Sequence, residues 1–140
     1  MKIKSLLLLS LALGGFFAFS AFSLYLPQDA AQMARGKEIY EEKCIVCHMA
    51  DGKGVAGAFP PLAQSDYLLK DKVRAVEQTL NGSHEEMVVN GVTYNMPMTP
   101  QVDTKEDAVA VINYVLNNFG NDGGYVTMEE VKDVVIKPRE

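Results

Sequence analysis

The apolar positions of the chain form one long run, three helical stripes and one short pair of alternating segments. The long run covers Leu6–Phe19, and no charge occurs between Ser5 and Gln28. Ala30 to Lys43 then reads as a helix, with Met33, Gly36, Ile39 and Tyr40 recurring at three- and four-residue spacing. Asp29 is placed to cap its first turn. Gly36 inside a helix costs about 1 kcal/mol relative to alanine, and close approach by another helix would offset that. Asp71 to Leu80 is a second helix, with Val73, Val76 and Leu80 on one face and Asn81-Gly82 as its end. Thr104 to Phe119 is the clearest. Ala108, Ile112, Val115 and Phe119 form its stripe, with Val111 and Leu116 beside it. Thr104 and Asp107 resemble a capping pair, and Gly120 is the expected stop. This stripe is expected in the core, facing the first helix at Gly36. Ser65–Leu69 reads as a single short turn. Met87–Val89 and Val92–Tyr94 flank Asn90-Gly91, a favoured hairpin pair. Thr127–Glu130 is a capping box that predicts a last short helix to about Ile136, with Pro138 beyond.

The long run changes the domain count. Lys2 and Lys4 ahead of it make a positive n-region and an apolar h-region, and Ala18–Ser20 and Ala21–Ser23 offer small residues for cleavage. The alternative is a retained anchor, because the apolar stretch continues to Leu26, long enough for a hydrocarbon core of about 30 Å. Residues 1–26 are therefore read as a signal peptide or N-terminal membrane anchor. Residues 27–124 form one domain, and 125–140 a short helix and tail. Both readings keep Lys2 and Lys4 inside and export the rest, to the periplasm or the outer face of the cytoplasmic membrane. Membrane contact is expected only through the N-terminal segment, if it stays uncleaved. The net charge is −5, and the chain after the leader is more acidic still. Without a lysine/arginine run, nucleic acid is a poor partner. A basic patch on a partner protein is a better one.

The chemistry is concentrated in Cys44-Ile45-Val46-Cys47-His48, which holds both cysteines and one of the two histidines. This spacing reads as covalent haem c attachment. Each thiol adds to a vinyl group to make a thioether, and one helical turn presents both sulfurs to one porphyrin edge. The following imidazole is held near the ring axis, where it can bind iron. A zinc site would need Cys44, Cys47, His48 and His84 together, without finger-like spacing. A thioredoxin-like dithiol should follow a strand, yet here a helix precedes and a glycine-rich loop, Asp51–Gly57, follows. A structural disulfide would leave His48 unexplained. Phe59-Pro60-Pro61-Leu62 cannot be helix or sheet interior, so its carbonyls are free. The Pro60 carbonyl is the candidate acceptor for the second ring N–H of His48, against the plainer reading of a rigid turn. Met96 and Met98 flank Pro97 in a non-helical loop. Either thioether can bind iron, or fill a gap beside a large ring. His84 lies among polar residues and reads as a surface residue, with a second axial ligand as the alternative.

Gly36 and Tyr40 ahead of Cys44–His48, then Phe59–Leu62, the methionine loop and the Thr104–Phe119 helix together resemble a class I c-type cytochrome. The resemblance spans about Ala30 to Phe119. It implies an all-α class I cytochrome c fold, three to five helices around one covalently bound haem, with a small hairpin before the methionine loop. It implies His48 as proximal ligand and a methionine as distal ligand. Relatives with a Tyr-Asn-x-x-Met pattern place that ligand four residues after the tyrosine, which is Met98 after Tyr94; Met96 is the runner-up. Asn118–Gly124 with Val126–Val131 looks like cytochromes that accompany copper-containing nitrite reductases, a short match. The function implied is an electron carrier, not an enzyme, between respiratory redox partners: a copper nitrite reductase, a terminal oxidase or a quinol-oxidising complex. The competing readings are a haem enzyme or gas-binding sensor with a labile sixth ligand, and a colourless zinc or dithiol protein.

Overall fold

The structure is a computed structural model that describes residues 28–139. The expected signal peptide or anchor at 1–26 lies outside those residues. Helix α1 spans Gln28–Ile39, and its helical backbone includes Asp29, the expected cap. The single helix expected to Lys43 is interrupted. A π-helical turn, Tyr40–Cys44, follows α1 and leads into the short helix α2, Ile45–His48. A π turn fits one extra residue into the coil. It lies where Tyr40 is fixed at both ends: its ring is buried, and its hydroxyl donates to Met49 O at 2.7 Å.

The short turn expected at Ser65–Leu69 is helix α3, Asp66–Lys70, capped by Ser65 Oγ. Helix α4, Lys72–Asn81, is capped by Asp71 and ends on Gly82 at φ 78°. The hairpin pairs β1, Met87–Val89, with β2, Val92–Tyr94, in the register Met87↔Tyr94 and Val89↔Val92. Asn90 and Gly91 both take positive φ, as the hairpin turn requires. The tip is docked on α3: Asp66 N donates to Asn90 Oδ1, and Asn90 N donates to Asp66 Oδ1.

Helix α5, Lys105–Leu116, is capped by Thr104 and ends three residues before the expected Phe119. Side chains take over the last carbonyls. Asn117 Nδ2 donates to Asn113 O, Asn118 Nδ2 to Tyr114 O and Asn121 Nδ2 to Val115 O. Such local side-chain bonds compete with helix continuation. Phe119 turns back at φ 57°, and its ring lies 4.9 Å from that of Tyr40. The contact expected from a continued stripe is thus made from outside the helix.

The buried cluster joins Ile39 and Tyr40 to Val76 and Leu80 of α4, to the apolar face of α5, and to Val126 and Val131 beyond it. α1 crosses α5 at Gly36, where a Cβ would overlap the Ala110 carbonyl and lie 2.7 Å from Tyr114 Cβ. Beside the crossing, Arg35 Nε and Nη2 donate to the two Asp107 carboxylate oxygens at 2.8 and 2.9 Å. This guanidinium holds the Asp107 carboxyl below the usual carboxylate range. A depressed folded pKa gives stability that is full above the unfolded value, about 4, and is lost as pH falls through the lower folded one. Asp107→Asn is therefore expected to lower the melting temperature at pH 7, with the deficit shrinking as pH falls through the depressed folded value. A deficit that does not shrink would assign the effect to the cap, not the charge.

The helix expected from Thr127 to about Ile136 is absent. The capping box forms, with Thr127 N on Glu130 Oε2 and Glu130 N on Thr127 Oγ1. The chain then makes only turns at residues 128–133. Lys105 Nζ takes the Lys132 carbonyl, which a helix would have given to Ile136, and Asn81 Nδ2 takes that of Val135. Among the described residues, no helix is long and apolar enough to cross a membrane.

Candidate functional site

α2 ends at Met49, whose φ of 64° turns the chain out of the helix. The loop then folds back. Gly54 N donates to His48 O, and Leu62 N and Ala63 N both donate to Gly52 O. Gly54 has φ 65°, and a Cβ there would overlap the Phe59 and Pro60 carbonyl oxygens, so only glycine lets the loop close this tightly. The closure brings Pro60 O to 2.9 Å from His48 Nδ1. A carbonyl only accepts, so the proton belongs on Nδ1 and the lone pair on Nε2. Burial lowers the His48 pKa, against a smaller raising effect of the Pro60 bond, and keeps the imidazole neutral at pH 7.

His48 lines a pocket with Cys44, Cys47, Phe59, Pro60, Pro61 and Leu62. Its cavity volume is about 200 Å³. Leu68, Ala75, Val89, Val111, Ile112 and Val115 supply apolar wall from the other elements. Both cysteines are half-buried and unpaired. Burial, with the neighbouring Cys47, pushes the Cys44 thiol up to about 11, so it stays protonated at neutral pH. Met96 and Met98 both reach the wall, but Met96 is 50% exposed while Met98 is half-buried. Met98 is also paired by its backbone: Ser83 N donates to Met98 O and Met98 N to Ser83 O, each at 2.8 Å. His84 is exposed and does not line the pocket. Among the described residues no three His, Cys, Asp or Glu side chains gather as a metal cluster, as the four-ligand zinc set would require.

Sequence reasoning missed the polar part of this wall. Arg74 lies over the Tyr67 ring at 3.6 Å and donates through Nη2 to Tyr67 O. Gln78 Nε2 donates to Tyr67 OH and to Ser83 Oγ. Arg74 and Gln78 are four residues apart beside the apolar stripe of α4, a spacing indistinguishable from a solvated helix face. Arg74 Nε is buried without a hydrogen-bond partner. A buried donor left unmade is costly, and a carboxylate on a bound group would satisfy it. A flat apolar macrocycle with two carboxylates fits this set. It has two thiols for its edge, a neutral imidazole with a free lone pair, thioethers, an apolar wall and an unsatisfied guanidinium donor.

Comparison with known proteins agrees. The cytochrome c family model matches residues 33–119. Cytochrome c-552 of Thermus thermophilus is 33% identical over 118 residues, 77% of this chain and 79% of that protein. The CcoP subunit of a cbb3-type cytochrome c oxidase from Rubrivivax gelatinosus is 34% identical over 96 residues, 68% of this chain and 29% of its own length. A thiosulfate dehydrogenase of Thiomonas intermedia shares 52% identity over 40 residues, 26% of this chain and 13% of that protein. The family match runs from α1 through every element of the pocket wall, and the chain belongs to the cytochrome c family as an electron carrier with covalently bound haem c.

Proposed function

We propose that Cys44 and Cys47 hold the haem through thioethers, that His48 is the proximal iron ligand oriented by the Pro60 carbonyl, and that Met98 is the distal ligand. The protein is then an exported carrier of single electrons between respiratory redox partners, and not an enzyme. One observation carries the reading: both cysteines, His48 with its free Nε2, and Met98 line one pocket.

Bound haem supplies a one-electron couple. The chain's residues decide its use. Pro60 fixes the His48 tautomer, so the ring nitrogen facing away from the loop keeps its lone pair. Ser83 seats Met98 by two backbone bonds, and a Cβ on Gly82 would overlap the Met98 carbonyl, so this strand of the loop is closely packed. With haem bound, the Met98 thioether would hold the iron and would keep substrate or gas from binding there. The apolar wall and a methionine ligand favour a high potential. Val46, between the cysteines, is 73% exposed and brings the motif to the surface, where a docked protein can exchange electrons. The likeness to an oxidase subunit supports a terminal oxidase as acceptor. A quinol-oxidising complex is a fitting donor, and a copper nitrite reductase is the other acceptor consistent with the sequence around Asn118–Gly124.

Visible spectra of the exported protein, with Met98→Ala and Met96→Ala alongside, test the ligand set. The weak red-edge band of a methionine–ferric haem pair is expected in wild type and Met96→Ala and absent in Met98→Ala. Only the last variant should take up carbon monoxide readily when reduced. A wild type without the band that binds carbon monoxide would replace this reading with a sensor or enzyme having a labile sixth ligand.

A further inference from the structure

The segment after Phe119 runs back along α5 and is held by asparagines that treat its backbone as a strand partner. Asn113, on α5, accepts from Val126 N and donates to Val126 O. Asn117 donates to Gly124 O. Asn81, the last residue of α4, donates to Val135 O and accepts from Lys137 N, so both ends of its amide are used. Arg139 then reaches the far side of the methionine loop, donating to Val102 O at 2.6 Å and pairing with Asp103 at 2.7 Å.

These last two anchors are not scattered. Asn81 lies two residues before Ser83, and Val102 lies four residues after Met98. Between them the loop is closed by the Ser83–Met98 pairing and by Gln101 N donating to Thr79 O. The chain that carries both methionines thus leaves from one strap anchor and returns to the other.

We infer that the C-terminal strap is a positioning device for the methionine loop, in which Asn81 and Arg139 act as positioning residues that keep Ser83 and Met98 paired. The redox consequence rests on Met98 being the iron ligand; the seating of the loop does not. Loops without such ties open locally at small free-energy cost. With the strap in place, opening the loop requires releasing Val135, Lys137 and Val102 together. The strap therefore suppresses loss of the distal ligand without touching it.

The test uses the full haem-loaded chain carrying Asn81→Ala and Arg139→Ala. Alanine is a better helix former than asparagine, so α4 itself is not weakened. Amide hydrogen exchange at Ser83 and Met98 is expected to rise about ten-fold or more, while Val111 in the core of α5 stays unchanged. The methionine–haem band should be lost at a denaturant concentration clearly below that of helix unfolding, with the two transitions closer together in wild type. Lys132→Ala, which removes a tail ion pair to Glu129 away from the loop, should reproduce neither effect. Unchanged exchange at Ser83 and Met98, an equal rise at Val111, or the same behaviour in Lys132→Ala would overturn the inference. So would faster exchange with an unmoved band. If wild type lacks the band, the assignment of Met98 fails, and exchange alone decides whether the strap seats the loop.

Discussion

Gly36→Ala is expected to destabilise the haem-loaded protein by about 2 kcal/mol or more, although alanine favours a helix over glycine by about 1 kcal/mol. The added methyl would fall on the Ala110 carbonyl, a backbone atom in the middle of α5, and within 2.7 Å of Tyr114 Cβ. Neither can swing aside as a flexible side-chain end could. The helices must separate, and separation loosens the Arg35–Asp107 pair and the Tyr40–Tyr114–Phe119 ring cluster at the same crossing. Forcing extra volume into a packed site typically costs about 1–3 kcal/mol, and a clash with backbone lies at the upper end. Guanidinium unfolding of wild type and variant measures it. A variant as stable as wild type would show that the helices do not need glycine to meet.

Asn113→Ala is expected to cost about 3 kcal/mol, from a residue with no part in the pocket. Asn113 is almost fully buried, as is Val126, and the two exchange a pair of hydrogen bonds. A third bond runs from Asn113 Nδ2 to Gln32 Oε1 on α1. Removing the amide leaves Val126 N–H and C=O buried and unpaired, at about 1–3 kcal/mol for each such group. Relief comes only by letting the strap go, so Val126 and Val131 should become exposed. Limited proteolysis within residues 120–139 and loss of protection at the Val126 amide should accompany the lowered midpoint. If the midpoint falls but the strap stays protected, the cost is a cavity in α5 and not the loss of the tie.

How much of this was visible beforehand depended on how local each signal was. Cys44, Cys47 and His48 could be picked out together because they lie in one contiguous stretch, and they line one pocket. Asn90-Gly91 spells out its own turn. Gly36 could be read because a glycine on an apolar helical stripe is an anomaly that only another backbone explains, and Ala110 is that backbone. The early end of α5 was hidden because Asn117, Asn118 and Asn121 terminate the helix through folded-state bonds, whereas Gly120 advertised a later stop. The last helix failed for the opposite reason. Its start signal is real, but Lys105 and Asn81, far back in the chain, claim the carbonyls that would have extended it. The polar wall of Arg74, Gln78 and Ser83 stayed hidden because three polar residues beside an apolar stripe have the same pattern as a surface.

The crossing at Gly36 joins parts of the chain that are made at different times. Arg35 and Asp107 are 72 positions apart, and contacts of such separation pay a large loop-closure entropy before they give anything back. During synthesis the cysteine pair emerges long before α5 exists to cover α1. In that interval Cys44 and Cys47, half-buried in the finished protein, are open. α5 therefore acts as a clock, closing the wall opposite Cys44 and Cys47 only once it has arrived.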